Sequence, residues 1–305
     1  MAYATVHGLN MYYEIHGAGP PLLLLHGGTG SIPAEWIPSF APLFQVIAME
    51  QMGHGRTADV MDRPFHYHDM AEDTVELMRQ LGIEGAAIVG YSDGGIIGLD
   101  MAIRHPERVT KLVITGANSR TDGYTAENLE WARTFDPNDQ PVPDGYRRLS
   151  PDGVEHWPIF LGRLQRMWVV EPSFTRQEMQ SIKASTLIIV GDGDIVTPEH
   201  AAEMFRTIPD AQLCVVPHAG HGVMPKETIL TFLTKFPRQM PSRSLRSVHL
   251  LHPLHALLWI DDPEVLDDLE ITVVCLGDVH VHSNVMLTGH HFSRTTRPLS
   301  DLCVV

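Results

Sequence analysis

Short, unbroken apolar runs punctuate the chain: Pro21–Leu25, Gln45–Met49, Ala86–Val89, Lys111–Thr115, Thr186–Val190 and Gln212–Val216. Runs this short, apolar at consecutive rather than alternate positions, predict strands buried on both faces. Between them the period lengthens. From Tyr67 to Leu81 the apolar or small positions Met70, Thr74, Leu77, Met78 and Leu81 fall on one helical face, and a Thr-Pro pair marks a second helix over Pro198 to Thr207. Strand alternating with helix predicts a mostly parallel central sheet with helices on both faces, an α/β fold.

The alternation breaks once, between Asn118 and Ile182. That stretch carries Pro137, Pro141, Pro143, Pro151 and Pro158 among large apolar side chains, Trp131, Trp157, Phe160, Leu161, Leu164, Met167 and Trp168. A structureless loop of such length is uncommon, so a mostly helical cap folded over the sheet is expected. The predicted organisation is a core of residues 1–117 and 183–236, a cap insertion of residues 118–182, and an atypical extension of residues 237–305.

Composition narrows the function. The 305 residues hold 22 Lys plus Arg against 37 Asp plus Glu, a formal charge of −15. A surface this acidic repels phosphate backbones and anionic lipid heads, so neither nucleic acid nor a membrane is an expected partner. No apolar run approaches the roughly 20 residues of a membrane span. The start, Met1-Ala2-Tyr3-Ala4-Thr5-Val6-His7, lacks a basic region followed by a long apolar one, which makes a cytoplasmic location the expectation. Cys214, Cys275 and Cys303 are too few and too scattered for a disulfide framework or a cysteine zinc site.

Chemistry concentrates where the run Ala86–Val89 enters Gly90-Tyr91-Ser92-Asp93-Gly94-Gly95, followed by the helix-like positions Ile96, Ile97, Leu99, Met101 and Ile103. Gly-x-Ser-x-Gly alone arises by chance in about one chain in ten of this length. In a strand-turn-helix context it describes a sharp bend that presents a serine hydroxyl above the sheet, its glycines letting strand and helix approach closely. Four further turns follow strands in order: His26-Gly27-Gly28-Thr29-Gly30, Glu50-Gln51-Met52-Gly53-His54-Gly55-Arg56-Thr57, Gly191-Asp192-Gly193-Asp194-Ile195-Val196-Thr197-Pro198, and Gly220-His221-Gly222.

Together these turns resemble the α/β-hydrolase fold family from about Val6 to Phe236, with the character of a serine esterase bearing a helical cap. Glu50 and Thr57 depart conservatively from the family's Asp-x-x-Gly-x-Gly-x-Ser turn. The resemblance implies Ser92 as nucleophile, His221 as its base and Asp194 as the carboxylate orienting that base, with Asp192 as the alternative acid. It also implies an oxyanion hole from the backbone N–H groups of Gly28 and Asp93. Tyr91, Trp131, Trp157, Phe160, Met167 and Trp168 are candidates for the substrate pocket. His26 is expected to shape the oxyanion loop, Asp93 either to orient its loop or to disfavour anionic substrates, and His54 and His218 have no role assignable from sequence.

The expected activity is hydrolysis of small or medium carboxylic esters through an acyl-enzyme, with a small-molecule ester as partner and no cofactor or metal. Lactones and thioesters suit the same machinery, and non-hydrolytic relatives acting as small-molecule receptors or cofactor-independent oxygenases share the triad. A serine where other relatives carry an aspartate nucleophile disfavours epoxide opening and halide displacement. In the extension, Asp278-Val279-His280-Val281-His282-Ser283 resembles the Asp-x-His-x-His-Ser metal motif of the polymerase-and-histidinol-phosphatase family. That family spreads its ligands over a far longer barrel, so an irregular extension without a metal site is expected. Two strands are expected there, over Ile271–Leu276 and Val279–Leu287.

Overall fold

The computed structural model describes residues 2–234 and, further on, the backbone of four strands between positions 249 and 288. Eight strands form the main sheet: β1 (Ala2–Val6), β2 (Leu9–His16), β3 (Pro21–Leu25), β4 (Gln45–Met49), β5 (Ala86–Tyr91), β6 (Val109–Thr115), β7 (Ser185–Gly191) and β8 (Ala211–Val216). Their order is β1-β2-β4-β3-β5-β6-β7-β8. Every pairing from β4 to β8 is parallel, whereas β1 with β2 and β2 with β4 are antiparallel.

All six expected strands are present, and four of them extend one or two residues beyond their apolar runs. The β1–β2 hairpin was not anticipated. Burial alternates along the edge strand β1 and is only partial along much of β2, so neither carries an unbroken apolar run. Beyond β8 the sheet continues through β10 (Leu257–Ile260) and β9 (His249–Leu251), both pairings antiparallel. A separate antiparallel pair joins β11 (Asp268–Val274) to β12 (His282–Thr288), close to the two strands expected in the extension. The metal-like motif otherwise lies outside the described residues.

The unbroken apolar strands serve two cores. On β3, Leu23 and Leu25 join one buried cluster with Ile47, Ile88, Leu112 and Ile188, while Leu22 and Leu24 join another with Val46, Val89, Val113 and Leu187. Side chains alternate across a strand, so each residue of the run belongs to one face or the other. The first face is covered by α2 (Tyr67–Gln80), α3 (Asp93–Arg104) and α8 (Pro198–Thr207), the second by α1 (Ile37–Phe40) and α9 (Lys226–Thr234). The predicted face of α2 is the packed one: Met70, Thr74, Leu77 and Met78 are buried.

Between β6 and β7 lie α4 (Ala126–Thr134), α5 (Asp144–Leu149), α6 (Trp157–Trp168) and α7 (Arg176–Gln180). Three of the five prolines stand at element starts: Pro158 in the first turn of α6, Pro143 just before α5, and Pro137 opening a single 3-10 turn. A missing N–H costs nothing there, because the first turn has no intrahelical acceptor for it. This helical layer is tied to the sheet layer through α6. Arg163, only 6% exposed, and His156 both reach the carboxylate of Asp59, itself 1% exposed.

Candidate active site

The elbow at Ser92 is built by close packing. A Cβ on Gly90 would lie 2.3 Å from the Gly94 carbonyl oxygen, and one on Gly94 would lie 2.4 Å from that of Leu25. Both obstacles are backbone, so only glycine lets α3 start directly against β5 and β3. Between them Ser92 holds φ 52° and ψ −121°. A non-glycine residue in this region is strained, and the surrounding packing keeps it there.

Strain aims the hydroxyl at a histidine. Ser92 Oγ lies 3.0 Å from His221 Nε2, and His221 Nδ1 lies 2.7 Å from Asp194 Oδ1. A carboxylate only accepts, so Nδ1 carries the ring proton and Nε2 presents a lone pair to the serine. Asp194 is buried and also accepts the Val196 N–H at 3.1 Å. Asp192 is exposed and accepts the Ala219 N–H at 3.1 Å. Of the two acids that the turn offered, the histidine meets Asp194.

The loop after β3 is held from behind. The Gly27 carbonyl accepts from His26 Nδ1 at 2.8 Å and from the Gly30 N–H at 3.0 Å. In a planar trans peptide the N–H of the next residue points opposite to that carbonyl, so pinning Gly27 O aims the Gly28 N–H. His26 Nε2 accepts the Gln51 N–H at 3.1 Å, which fixes its tautomer. Burial, with nearby His54 in support, drives the His26 pKa down to about 3, so the ring is neutral at ordinary pH.

A cavity of about 440 Å³ opens over Ser92, lined by residues including Gly28, Trp36, Tyr91, Asp93, Tyr124, Trp131, Trp168 and His221. Of the expected pocket residues, Tyr91, Trp131 and Trp168 face it. Trp157 and Met167 do not; each is 3% exposed and packs in the apolar core with the cap helices, where the inward face of α6 turns them. Phe160 instead lines a second cavity of about 120 Å³ with His54, Pro143 and Tyr146. The segment Thr29-Gly30-Ser31 borders both cavities. Trp36, edge-on to Tyr91 at 5.8 Å, and Tyr124 were missed, since neither belongs to a motif.

Asp93 is buried beside the nucleophile. Its Oδ1 accepts from the Tyr67 hydroxyl at 3.0 Å and its Oδ2 from Trp168 Nε1 at 2.9 Å. Burial pushes its pKa up, while those two hydrogen bonds pull it down. Trp168 thus links the cap to the elbow. The Tyr91 phenol, pushed up to about 12 mainly by burial, stays protonated. Among the described residues no group of three His, Cys, Asp or Glu side chains is arranged to hold a metal ion, and no helix is long and apolar enough to cross a membrane.

With strand order, elbow and helical insertion in place, comparison with known proteins points to one fold. A profile of the α/β-hydrolase fold matches residues 20–157. The chain has the α/β-hydrolase fold. Among curated relatives, a protein of Azorhizobium caulinodans named "putative carbamate hydrolase RutD" is 28% identical over 73% of this chain and 92% of its own length. Among solved structures, a meta-cleavage product hydrolase from Pseudomonas fluorescens superimposes with a TM-score of 0.63 at 23% identity, covering 76% of this chain and 94% of its own. An enol-lactonase from Burkholderia xenovorans does so at 0.61 and 22%, covering 76% and 100%.

Proposed function

We propose that this α/β-hydrolase cleaves carboxylic esters of small or medium acyl chain through an acyl-enzyme, with Ser92, His221 and Asp194 as its catalytic triad. The observation that carries the reading is the unbroken hydrogen-bond chain from Ser92 Oγ through His221 to Asp194 at the floor of the 440 Å³ cavity. A volume in the lower part of the range of about 300–1,000 Å³ usual for small-molecule sites suits a compact substrate.

In this mechanism His221 Nε2 takes the Ser92 proton as Oγ attacks the ester carbonyl, and the Asp194 carboxylate steadies the imidazolium that forms. The tetrahedral oxyanion is met by the N–H groups of Gly28 and Asp93. Collapse expels the alkoxide, which takes the proton from His221, and leaves an acyl group on Ser92. Water then enters, gives its proton to His221 and attacks the acyl carbon; the second tetrahedral adduct releases the acid and restores the serine hydroxyl.

The curated relative's name favours one variation on this reading, a carbamate in place of the ester, attacked at the same kind of carbonyl. The deciding experiment is hydrolysis of p-nitrophenyl acyl esters of increasing chain length by the intact protein, beside Ser92→Ala and His221→Ala. Burst release of nitrophenol, absent in both variants, is expected, with carbamate, lactone and thioester analogues then ranking the substrate classes. No turnover above the variants would overturn the ester reading and favour a non-hydrolytic receptor or oxygenase.

A further inference from the structure

His54 sits behind the oxyanion loop, 2% exposed, with both ring nitrogens against main-chain carbonyls: Nδ1 lies 2.8 Å from Met52 O and Nε2 lies 2.6 Å from Gly28 O. A neutral imidazole carries one N–H and one bare nitrogen, so it can satisfy only one carbonyl and must press a lone pair against the other. Turning the ring over would leave both buried carbonyls without it, in a cage whose other walls include Phe65 and Phe160. Two donors at these distances describe an imidazolium.

A buried charge needs a counter-charge. Among the described residues, the charged and titratable groups around His54 include His26, whose ring centroid is 4.8 Å away, the carboxylates Asp59 and Asp93, and the uncharged Tyr146 phenol that lines the same small cavity. His26 is neutral by its own hydrogen bonds. Asp59 is engaged by Arg163 and His156. Asp93 differs: among the described residues its hydrogen-bond donors are the uncharged Tyr67 hydroxyl and Trp168 indole, each oxygen accepting one. Burial by itself drives both His54 and Asp93 toward their neutral forms. The donor and acceptor count runs the other way on both residues, with two acceptors facing the histidine and two donors facing the carboxylate.

We propose that His54 is a buried imidazolium, charge-balanced by Asp93, that acts as a positioning residue by clamping the Gly28 carbonyl and so fixing the oxyanion loop. The clamp complements His26. His26 holds the carbonyl on the N-terminal side of Gly28, His54 holds the carbonyl of Gly28 itself, and the residue between them can neither rotate nor drift. Its consequence for catalysis rests on the serine-hydrolase reading of the site; its charge does not.

Long-range nitrogen–proton NMR of the full-length protein near neutral pH reads that charge directly. Both His54 nitrogens are expected to be protonated, whereas His26 shows one protonated and one bare nitrogen; the spin system missing from His54→Gln makes the assignment. Asp93→Asn, which removes the counter-charge and keeps an acceptor for Trp168, is expected to strip one proton from His54, and it supplies the assignment should His54→Gln not fold. A bare nitrogen on His54 in the wild-type protein overturns the proposal, and a doubly protonated His54 in Asp93→Asn overturns the pairing. The loop's role is read from the rate at which a fluorophosphonate labels Ser92, which builds negative charge on oxygen without needing the natural substrate. His54→Gln, or Asp93→Asn if the former does not fold, is expected to slow labelling about 10- to 100-fold through a displaced donor, with little change in the probe concentration giving half-maximal rate. An unchanged rate overturns the positioning role. Absence of ester turnover in the wild-type protein, with the NMR and labelling results as expected, would instead fall on the functional reading alone.

Discussion

At the scale of single residues, the site pairs groups whose protonation is set by what surrounds them. Removing Ser92 or His221 is expected to lower ester turnover about 10⁴- to 10⁶-fold, because members of a triad act as one unit. Asp194→Asn should cost about 10⁴-fold by presenting the wrong tautomer of His221, while Asp192→Asn, at an exposed residue whose side chain accepts the Ala219 N–H, should keep activity within about threefold. Steady-state kcat for the two asparagine variants tests this, and equal losses would refute the assignment. His26 carries a pH signature of its own. Its pKa falls from 6.5 to about 3 on folding because the ring is buried, so between those values the unfolded chain binds the proton that the folded chain refuses. Stability is therefore complete above pH 6.5 and is lost as pH falls toward 3, by about 2 kcal/mol at pH 5 from this residue. Urea unfolding at pH 7 and pH 5 should show that difference in the wild-type protein and a smaller one in His26→Gln. Equal differences would mean that His26 does not titrate on unfolding.

At the scale of elements, α6 decides how the cap meets the sheet layer. Its apolar face inserts Trp157, Phe160, Leu164 and Met167 into the core cluster, Arg163 drops onto Asp59, and Trp168 at its last turn reaches Asp93. A buried ion pair adds little over a well-packed apolar substitute, yet breaking one side is expensive. Arg163→Ala should therefore cost about 3–5 kcal/mol by leaving Asp59 buried with His156 alone. Asp59→Ala combined with Arg163→Ala should recover part of that loss. Denaturant midpoints for the single and double variants measure both, and additive losses would show that the pair is not coupled.

At the scale of the whole molecule, the proposed triad and the cavity residues span positions 26 to 221, drawn from turns after the parallel strands and from helices α4 and α6. A chain ending at Pro237 is expected to label at Ser92 at the full-length rate, while exposing the free edge of β8 that β10 otherwise pairs. Fluorophosphonate labelling and light scattering on that chain would show intact reactivity with increased self-association; lost labelling would make the extension part of the site. How much of this was legible in advance follows from range. The strands, the packed face of α2 and the elbow are written locally, because a fully buried strand needs consecutive apolar residues and a tight turn needs glycine where any Cβ would meet backbone. Ser92, His221 and a two-fold choice of acid were readable from turns in family order. The remainder depended on distant segments coming together. That Asp194 rather than Asp192 meets His221, that Trp36 and Tyr124 line the cavity while Trp157 and Met167 do not, and that His54 faces two carbonyls near a carboxylate held by uncharged donors are matters of contact across long stretches of chain. Side-chain direction and local charge are properties of the packed structure, and no pattern within a single segment records them.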